Sequence, residues 1–491
     1  MKSIFKATAL LGSASAITIL IGLVSSKVTA VLLGPSGFGL MSLYQSVIAL
    51  VVMIAGLGLP TAVTRAMARS LADGDTAGAI ATRRAGWIVT ICAAAVAMAL
   101  VAGFAPWIGA AMLGARTSSD WAWFIVPAIL FSMLSTLQIA VVNARHRVAD
   151  LARISVVSAT LTLVPAIALT WALRSRGVAP ALAASMLITL LVSHHYYRRH
   201  REEDRPPGGR AVPLADACRD LIGFGLPYMA SVAVGAGILA ILPVLILRVL
   251  GPDEVGLFRA SSALAVNYLS VILASLSQDY FPRIASVSDD TESLNRIIND
   301  QLFLILLLAG PIILAMMGAV PYLIPLLYSH RFAAAAEILE WQLIGDLFKF
   351  ATWTMGFVIM TRLGSRTFFL TELVGGATLL ATSWFGMTLL GLPGLGIAFL
   401  ATGAIACALN WLVLYRSRGV IWHRGNVVLF VLLALAMAAL RLISLAGMPV
   451  LNLAVAALLA GGFGAWSLLA ITREFGGWRG LLARRRAAAG G

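Results

Sequence analysis

Apolar runs of membrane-spanning length recur from residue 7 to residue 472, and they decide the solvent in which this chain folds. A helix needs about 20 consecutive apolar residues to cross the hydrocarbon core of a bilayer. Hydrophobic residues make up 60% of the 491 positions and charged residues 12%, whereas a soluble domain carries about 25% charge. The apolar surface is therefore turned toward lipid and is not folded into one large aqueous core. Punctuating the chain at Gly, Pro and charge clusters predicts an all-α, polytopic membrane protein with about fourteen spans. They fall near 7–33, 40–64, 80–105, 121–143, 151–173, 178–197, 221–250, 256–282, 297–328, 336–361, 368–390, 393–415, 426–445 and 448–472. The first run follows Lys2 and Lys6 and imitates a signal peptide. Its length and the spans that follow at once identify it as a retained first span.

Charge fixes the expected orientation. With the N-terminus in the cytoplasm, the inside segments hold Lys2, Lys6, Arg65, Arg69, Arg83, Arg84, Arg145, Arg147 and Arg153, then the dense set Arg198, Arg199, Arg201, Arg205, Arg210 and Arg219. Arg283, Arg296, Arg362, Arg366, Arg416, Arg418 and Arg424 continue the series, and Arg473, Arg479, Arg484, Arg485 and Arg486 close it. The outside segments hold Arg116, Arg174, Arg176 and Arg331. This positive-inside bias predicts an inner-membrane protein with both termini cytoplasmic. The formal charge of +15 is thus topology signalling, since the cations sit at span ends and not in aromatic-interleaved patches of the kind that bind nucleic acid. Cys92, Cys218 and Cys407 show no disulfide framework or metal-ligand spacing. His194 and His195 are adjacent on a helix and point apart, which suits interfacial anchoring. No metal and no cofactor is expected.

The halves repeat. Leu33-Gly34-Pro35-Ser36-Gly37-Phe38-Gly39-Leu40 closes the first span and opens the second, and Leu250-Gly251-Pro252-Asp253-Glu254-Val255-Gly256-Leu257 does the same for spans seven and eight, 217 residues later. Both read G-P-x-x-x-G-L. At nearly the same offset Arg65-Ala66-Met67-Ala68 faces Arg283-Ile284-Ala285-Ser286, the span-four exit from Asn143 to Arg147 faces that from Thr361 to Arg366, and Tyr196-Tyr197-Arg198-Arg199 faces Leu414-Tyr415-Arg416. A series of matches at one offset signals duplication. The expected domains are a six-helix lobe at 1–197, a cytoplasmic linker at 198–220, a second six-helix lobe at 221–416, and two extra spans with a basic tail at 417–491. Six spans is an even number, so the lobes insert alike, related by an axis along the membrane normal. Transporters so built bind substrate in a central cavity and rock for alternating access.

Charge at membrane depth costs a few kcal/mol and needs a reason. Lys27 lies about 10 Å below Gly34 at 1.5 Å per residue. Arg248 and Arg259 flank the second Gly-Pro turn, where interfacial anchoring competes with a substrate role. Lys349 lies about 20 Å into span ten. Asp346 is three residues before it on the same helical face, so the two can neutralise each other or serve substrate and ion. Asp279 and Glu372 fall near cytoplasmic span ends and are capping groups or coupling carboxylates. Tyr44, Gln45, Asn267 and Gln278 can hydrogen-bond sugars or glue helices together. Arg65, at the inner end of span two, can catch an anionic headgroup or simply obey the positive-inside bias. Fixed cations suit a phosphate-bearing ligand; a pump for cations would show buried carboxylates, and Asp346 is the one near mid-membrane.

At Leu33-Gly34-Pro35-Ser36-Gly37-Phe38-Gly39-Leu40, Glu254-Val255-Gly256-Leu257 and Tyr280-Phe281-Pro282-Arg283, the chain resembles Wzx-type oligosaccharide flippases of the multidrug/oligosaccharidyl-lipid/polysaccharide exporter superfamily. The resemblance extends through Leu326-Leu327-Tyr328-Ser329-His330-Arg331-Phe332 and on to the block from Trp341 to Lys349, its most specific part, and covers residues 1–416. It implies a non-enzymatic flippase that turns an undecaprenyl-diphosphate-linked oligosaccharide, such as an O-antigen repeat unit, between membrane leaflets on an ion gradient. A polysaccharide polymerase and a chain-length regulator are the protein partners such a role implies, besides membrane lipid. The cation-coupling residues of drug exporters find no match here. A peptidoglycan-precursor flippase and a multidrug/cation antiporter are the rivals within the superfamily. A membrane glycosyltransferase or polymerase would carry a large outside loop or a carboxylate cluster, and every outside loop here is short.

Overall fold

The computed structural model describes residues 2–114, 119–201, 213–286 and 290–474. The linker residues 202–212 and Arg116, Arg205 and Arg210 lie outside these, as does the tail beyond 474. The side chains of Lys2, Lys6, Arg201, Gln278, Asp279, Pro282 and Arg473 are likewise outside the described set. Among the described residues the chain is helical throughout, with no strand.

The order is α1 (Lys2–Ala55), α2 (Leu59–Ala72), α3 (Thr76–Gly103), α4 (Ala105–Ile108), α5 (Ala122–Ala144), α6 (Val148–Leu173), α7 (Val178–Arg201) and α8 (Leu214–Val249). Then come α9 (Pro252–Ser286), α10 (Thr291–Leu327), α11 (Ala335–Val358), α12 (Ser365–Leu390), α13 (Leu392–Arg418), α14 (Arg424–Leu445) and α15 (Pro449–Glu474). Among the described residues ten helices are long and apolar enough to cross a membrane, and two of these, Gly12–Ala55 and Val148–Arg199, each run through two of the spans expected from sequence. Their outer faces remain apolar and exposed: Leu389 is 78% and Leu458 76% accessible, a surface that only lipid would cover. Trp107, Trp123 and Trp171 are also exposed. All three stand at span ends that the charge bias assigns to the outside, where amphipathic rings anchor a helix at the headgroup level.

Span two departs from the expected single helix. After Ala55 the chain leaves the helix at Gly56, with φ positive at Leu57 (49°) and Gly58 (66°), and Pro60 stands in the first turn of α2. Pro is well placed there, because its missing N–H falls where a new helix has no acceptor anyway. The backbone of α8 comes so close that a Cβ on Gly58 would lie 2.2 Å from the Gly225 carbonyl oxygen. The α2 helix beyond the break is amphipathic, with Leu59, Ala62, Val63 and Met67 buried and Arg65 and Arg69 exposed.

The duplication reappears in the backbone. Gly34 (φ 69°) and Gly251 (φ 129°), 217 residues apart, both take the left-handed region beside their prolines. Arg174 (φ 53°, ψ −132°) and Gly391 (φ 67°, ψ −139°), again 217 apart, close the corresponding hairpins in nearly one conformation. In both hairpins a glycine is pressed on a carbonyl: a Cβ on Gly177 would meet the Leu169 oxygen at 2.1 Å, and one on Gly394 the Gly386 oxygen at 1.9 Å. Helix pairing repeats too, since α5 and α6 pack on α7 as α11 and α12 pack on α13.

By contacts the chain forms two compact units: the chain up to Arg259 with Leu327–Phe332, and Ala260–Leu326 with Ala333 onward. In the second unit α14 and α15 are part of the packed core. Gly310 of α10 lies against Phe463 and Leu433, and Gly318 against Ala456 and Asn452. The connector into α14 is pinned by α10: Asn299 accepts from the His423 N–H (2.7 Å) and donates to the Ile421 carbonyl (2.9 Å), while Asn295 accepts from the Ile421 N–H (2.7 Å).

Candidate functional site

In the second unit, the block from Trp341 to Lys349 forms the middle of α11 and is buried from Gln342 to Leu347. Small residues set its distance from α13. A Cβ on Gly345 would lie 3.1 Å from the Leu400 Cα, one on Gly403 2.8 Å from the Gly345 oxygen, and one on Gly396 2.8 Å from the Trp341 Cβ. Such glycine contacts let two membrane helices approach closely, and here they fix the rotation of α11 about its axis.

Gln342, Asp346 and Lys349 follow at i, i+4 and i+7 and so share one stripe of that helix. Gln342 donates to the Ser262 hydroxyl of α9 at 3.1 Å. Asp346, buried at 6% exposure, accepts a short 2.5 Å bond from the Tyr268 hydroxyl of α9. A carboxylate so buried needs both a donor and a nearby cation. The cation is Lys349, one turn on and exposed, whose ammonium attracts Asp346 and also Glu372 of α12. Asp346 and Lys349 form no ion pair within 4.0 Å; the direct partner of Asp346 is Tyr268. Asn267, half-buried on α9, accepts from the Ser270 hydroxyl through its backbone oxygen at 2.8 Å. Asp346, Lys349 and Glu372 are thus gathered into one electrostatic cluster, with Tyr268 an addition that the sequence reading did not single out.

The first unit holds the remaining candidates. Arg259 donates to the Gln45 side-chain oxygen at 3.1 Å, and Arg248 to the Ala111 carbonyl at 2.7 Å. Tyr44 stacks on Trp121 with ring centroids 6.2 Å apart. Arg65 is exposed, with its guanidinium 4.2 Å over the Phe224 ring. Lys27 is exposed on α1. The two Gly-Pro turns meet each other here. A Cβ on Gly39 would sit 2.4 Å from the Pro252 oxygen, and one on Gly256 2.0 Å from the Pro35 oxygen. The contact is reciprocal at the repeat offset, as a two-fold relation between duplicated turns requires. Around it, Phe38 packs edge-on against Tyr328 and Phe332 at 5.7 Å each.

A second buried charge cluster escaped the sequence reading altogether. Arg441 of α14 is paired with Glu340 of α11, and its other nitrogen donates to Glu337 at 2.9 Å. Ser444 donates to Glu340 at 2.7 Å, and the Arg441 guanidinium lies 5.1 Å from the Trp341 ring centroid. The signal was an arginine inside an apolar span, which calls for a partner carboxylate elsewhere in the membrane. Glu340, at the head of the α11 block, was the available one. Among the described residues no group of three His, Cys, Asp or Glu could hold a metal ion.

These features accord with known proteins. Residues 28–337 match the family described as polysaccharide biosynthesis protein. The lipid III flippase of Escherichia coli (strain K12) is 24% identical over 150 residues, 30% of this chain and 36% of that protein, and the Shigella flexneri lipid III flippase gives the same figures. The chain therefore spans about a third of the length of the curated relatives it matches. Among solved structures, a lipid II flippase in an inward closed conformation superposes with a TM-score of 0.70 at 12% identity, covering 93% of this chain and 98% of that one. An inward-facing multidrug resistance transporter superposes with a TM-score of 0.60 at 16% identity, covering 82% and 93%. All of these are named as flippases or transporters and none as an enzyme. With residues 28–337 matched, this multi-pass helical membrane protein belongs to the family described as polysaccharide biosynthesis protein.

Proposed function

We propose that this protein carries an undecaprenyl-diphosphate-linked oligosaccharide, of the kind used for O-antigen or exopolysaccharide, from the cytoplasmic to the periplasmic leaflet of the inner membrane. Both termini lie in the cytoplasm, and transport proceeds by alternating access on an ion gradient. The observation that carries this reading is Lys349: an exposed ammonium deep in an apolar helix, within the field of Asp346 and Glu372. A diphosphate offers the ammonium stronger charge-assisted bonds than a distant carboxylate does. Substrate and carboxylates then compete for one cation, and protonation of Asp346 or Glu372 releases Lys349 to the diphosphate. That exchange couples proton binding to loading. A cationic cargo would be repelled by the same ammonium. Lys27, Arg65, Arg248 and Arg259 serve the same anionic headgroup along its path, Asn267 supplies a sugar contact, and Asp279 is a further coupling carboxylate. A polymerase and a chain-length regulator act on the product.

The experiment is complementation of a flippase-deficient strain. One charged hydrogen bond is worth about 1.5–3 kcal/mol, so Lys349→Ala lowers transfer about ten- to a hundredfold while membrane insertion and thermal stability persist; Lys349→Arg retains part of the activity. Lys27→Ala gives a loss of the same sign. Normal surface polysaccharide in Lys349→Ala cells overturns the role of this residue. Restored activity in the double swap Asp346→Lys with Lys349→Asp would reassign the two as a structural pair. A second reading, a peptidoglycan lipid-precursor flippase, draws on the near-complete superposition with the lipid II flippase. Complementation of a strain lacking that activity, and not of one lacking repeat-unit transfer, would establish it.

A further inference from the structure

We infer that a cavity within the first unit holds the phosphate-proximal stretch of a polyisoprenoid chain, with Arg65 as the anchor for its phosphate; this rests on the lipid-linked substrate proposed above. The cavity has a volume of about 240 Å³ and lies among α1, α2, α3, α5 and α8. That exceeds the ~150 Å³ apolar cavity known to admit benzene. It lies at the break between α1 and α2, with Gly56 and Gly58 in its lining.

The rest of the lining is soft and apolar. Met53, Met133 and Met229 come from three different helices, and methionine adapts its shape to irregular ligands. The polar members contribute little polarity, since the Thr136 hydroxyl is turned back on its own helix, donating to the Ser132 carbonyl at 2.7 Å. Water has few partners in such a place, and a branched hydrocarbon loses none.

A cation stands beyond one wall, outside the lining itself. Tyr228 lines the cavity and stacks on Phe224 at 6.2 Å, nearly parallel, and the Arg65 guanidinium lies over the far partner, Phe224, at 4.2 Å. Arg65 follows Pro60 and Thr61 of the cavity wall on α2 by little more than one turn. Its N–H groups have no hydrogen-bond partner among the described residues. An apolar cavity separated by two stacked rings from an arginine with unspent donors fits a hydrocarbon that ends in phosphate, its headgroup rounding the rings to reach Arg65. The charge bias puts this end of span two on the cytoplasmic side, the leaflet in which such a substrate is loaded.

The test uses the full chain in nanodiscs of phosphatidylethanolamine and phosphatidylglycerol. One photoprobe is a polyprenyl phosphate with a diazirine on the isoprene units next to the phosphate; the other is phosphatidylglycerol with a diazirine in its acyl chain. The expected result is adducts of the polyprenyl probe on peptides carrying Met133 or Met229, displaced by unlabelled polyprenyl phosphate and not by excess phosphatidylglycerol. Thr136→Phe, which fills the cavity, and Arg65→Ala each reduce the adduct several-fold, and Arg65→Lys less. Absence of polyprenyl adducts from these peptides in the unaltered protein overturns the proposal, as does equal labelling by the phospholipid probe, which marks a general lipid site. Glycan-lipid transfer with an unlabelled cavity would remove this inference alone. Labelling without any transfer would keep the cavity and remove the transport reading.

Discussion

Gly39→Val and Gly256→Val each prevent accumulation of folded protein, and they do so to the same extent. The new branched side chain at either position must enter space held by backbone, the Pro252 oxygen in one case and the Pro35 oxygen in the other. A carbonyl in a helix start cannot turn aside as a flexible side-chain tip would, so the turns must separate. Overpacking typically costs about 1–3 kcal/mol and more where nothing yields, and this contact belongs to the second group. Both substitutions act on one crossing, which is why equal loss is expected. The control is Gly223→Ala in α8, where nothing lies within 4 Å of the added carbon. In a helix that change should be neutral or stabilising by about 0.4–1 kcal/mol. Monodispersity and thermal unfolding in detergent read all three. Folded Gly256→Val at normal yield would mean that the two turns do not meet.

Arg441→Leu produces the other large effect. It leaves Glu340, 1% exposed, with Ser444 as its remaining partner. Removing one member of a buried pair costs about 3–5 kcal/mol, because the other charge stays uncompensated. The double change Arg441→Leu with Glu340→Leu recovers most of that loss, since an apolar replacement of the whole pair is close to neutral. The exposed pair of Arg296 and Glu292, at 3.1 Å, offers the contrast: Arg296→Ala shifts stability by about 0–1 kcal/mol. Thermal unfolding of the variants side by side settles the order. If Arg441→Leu behaves like Arg296→Ala, the docking of α14 on α11 does not depend on this charge cluster.

The sequence carried the architecture because membranes impose it locally. Each apolar run had to become a helix whatever its neighbours did, so the helices fall where hydropathy put them. The Gly-Pro repeat at 217 residues was legible for a related reason: a positive φ and a close backbone approach leave few residue choices, and Gly34, Gly39, Gly251 and Gly256 show them openly. Legibility ended where partners are distant in sequence. Nothing near Asp346 announces Tyr268, 78 residues earlier; the i, i+3 spacing offered Lys349 for mutual neutralisation, beside a substrate or ion role, and no third partner. The union of Glu340 and Arg441 across 101 residues is of the same kind. The break at Gly56–Gly58 was masked differently, since apolar residues continue through it and hydropathy does not register a backbone that leaves the helix within an apolar run.

The most direct measurement of the central claim is leaflet transfer in proteoliposomes holding the purified chain and a polyprenyl-diphosphate-linked oligosaccharide, scored by a glycan-cleaving enzyme that cannot cross the bilayer. With an imposed proton gradient, the lipid-linked glycan should move between leaflets faster than in protein-free vesicles, and Lys349→Ala should slow that movement. Transfer no faster than in empty vesicles, in the presence of correctly folded protein, would contradict the account.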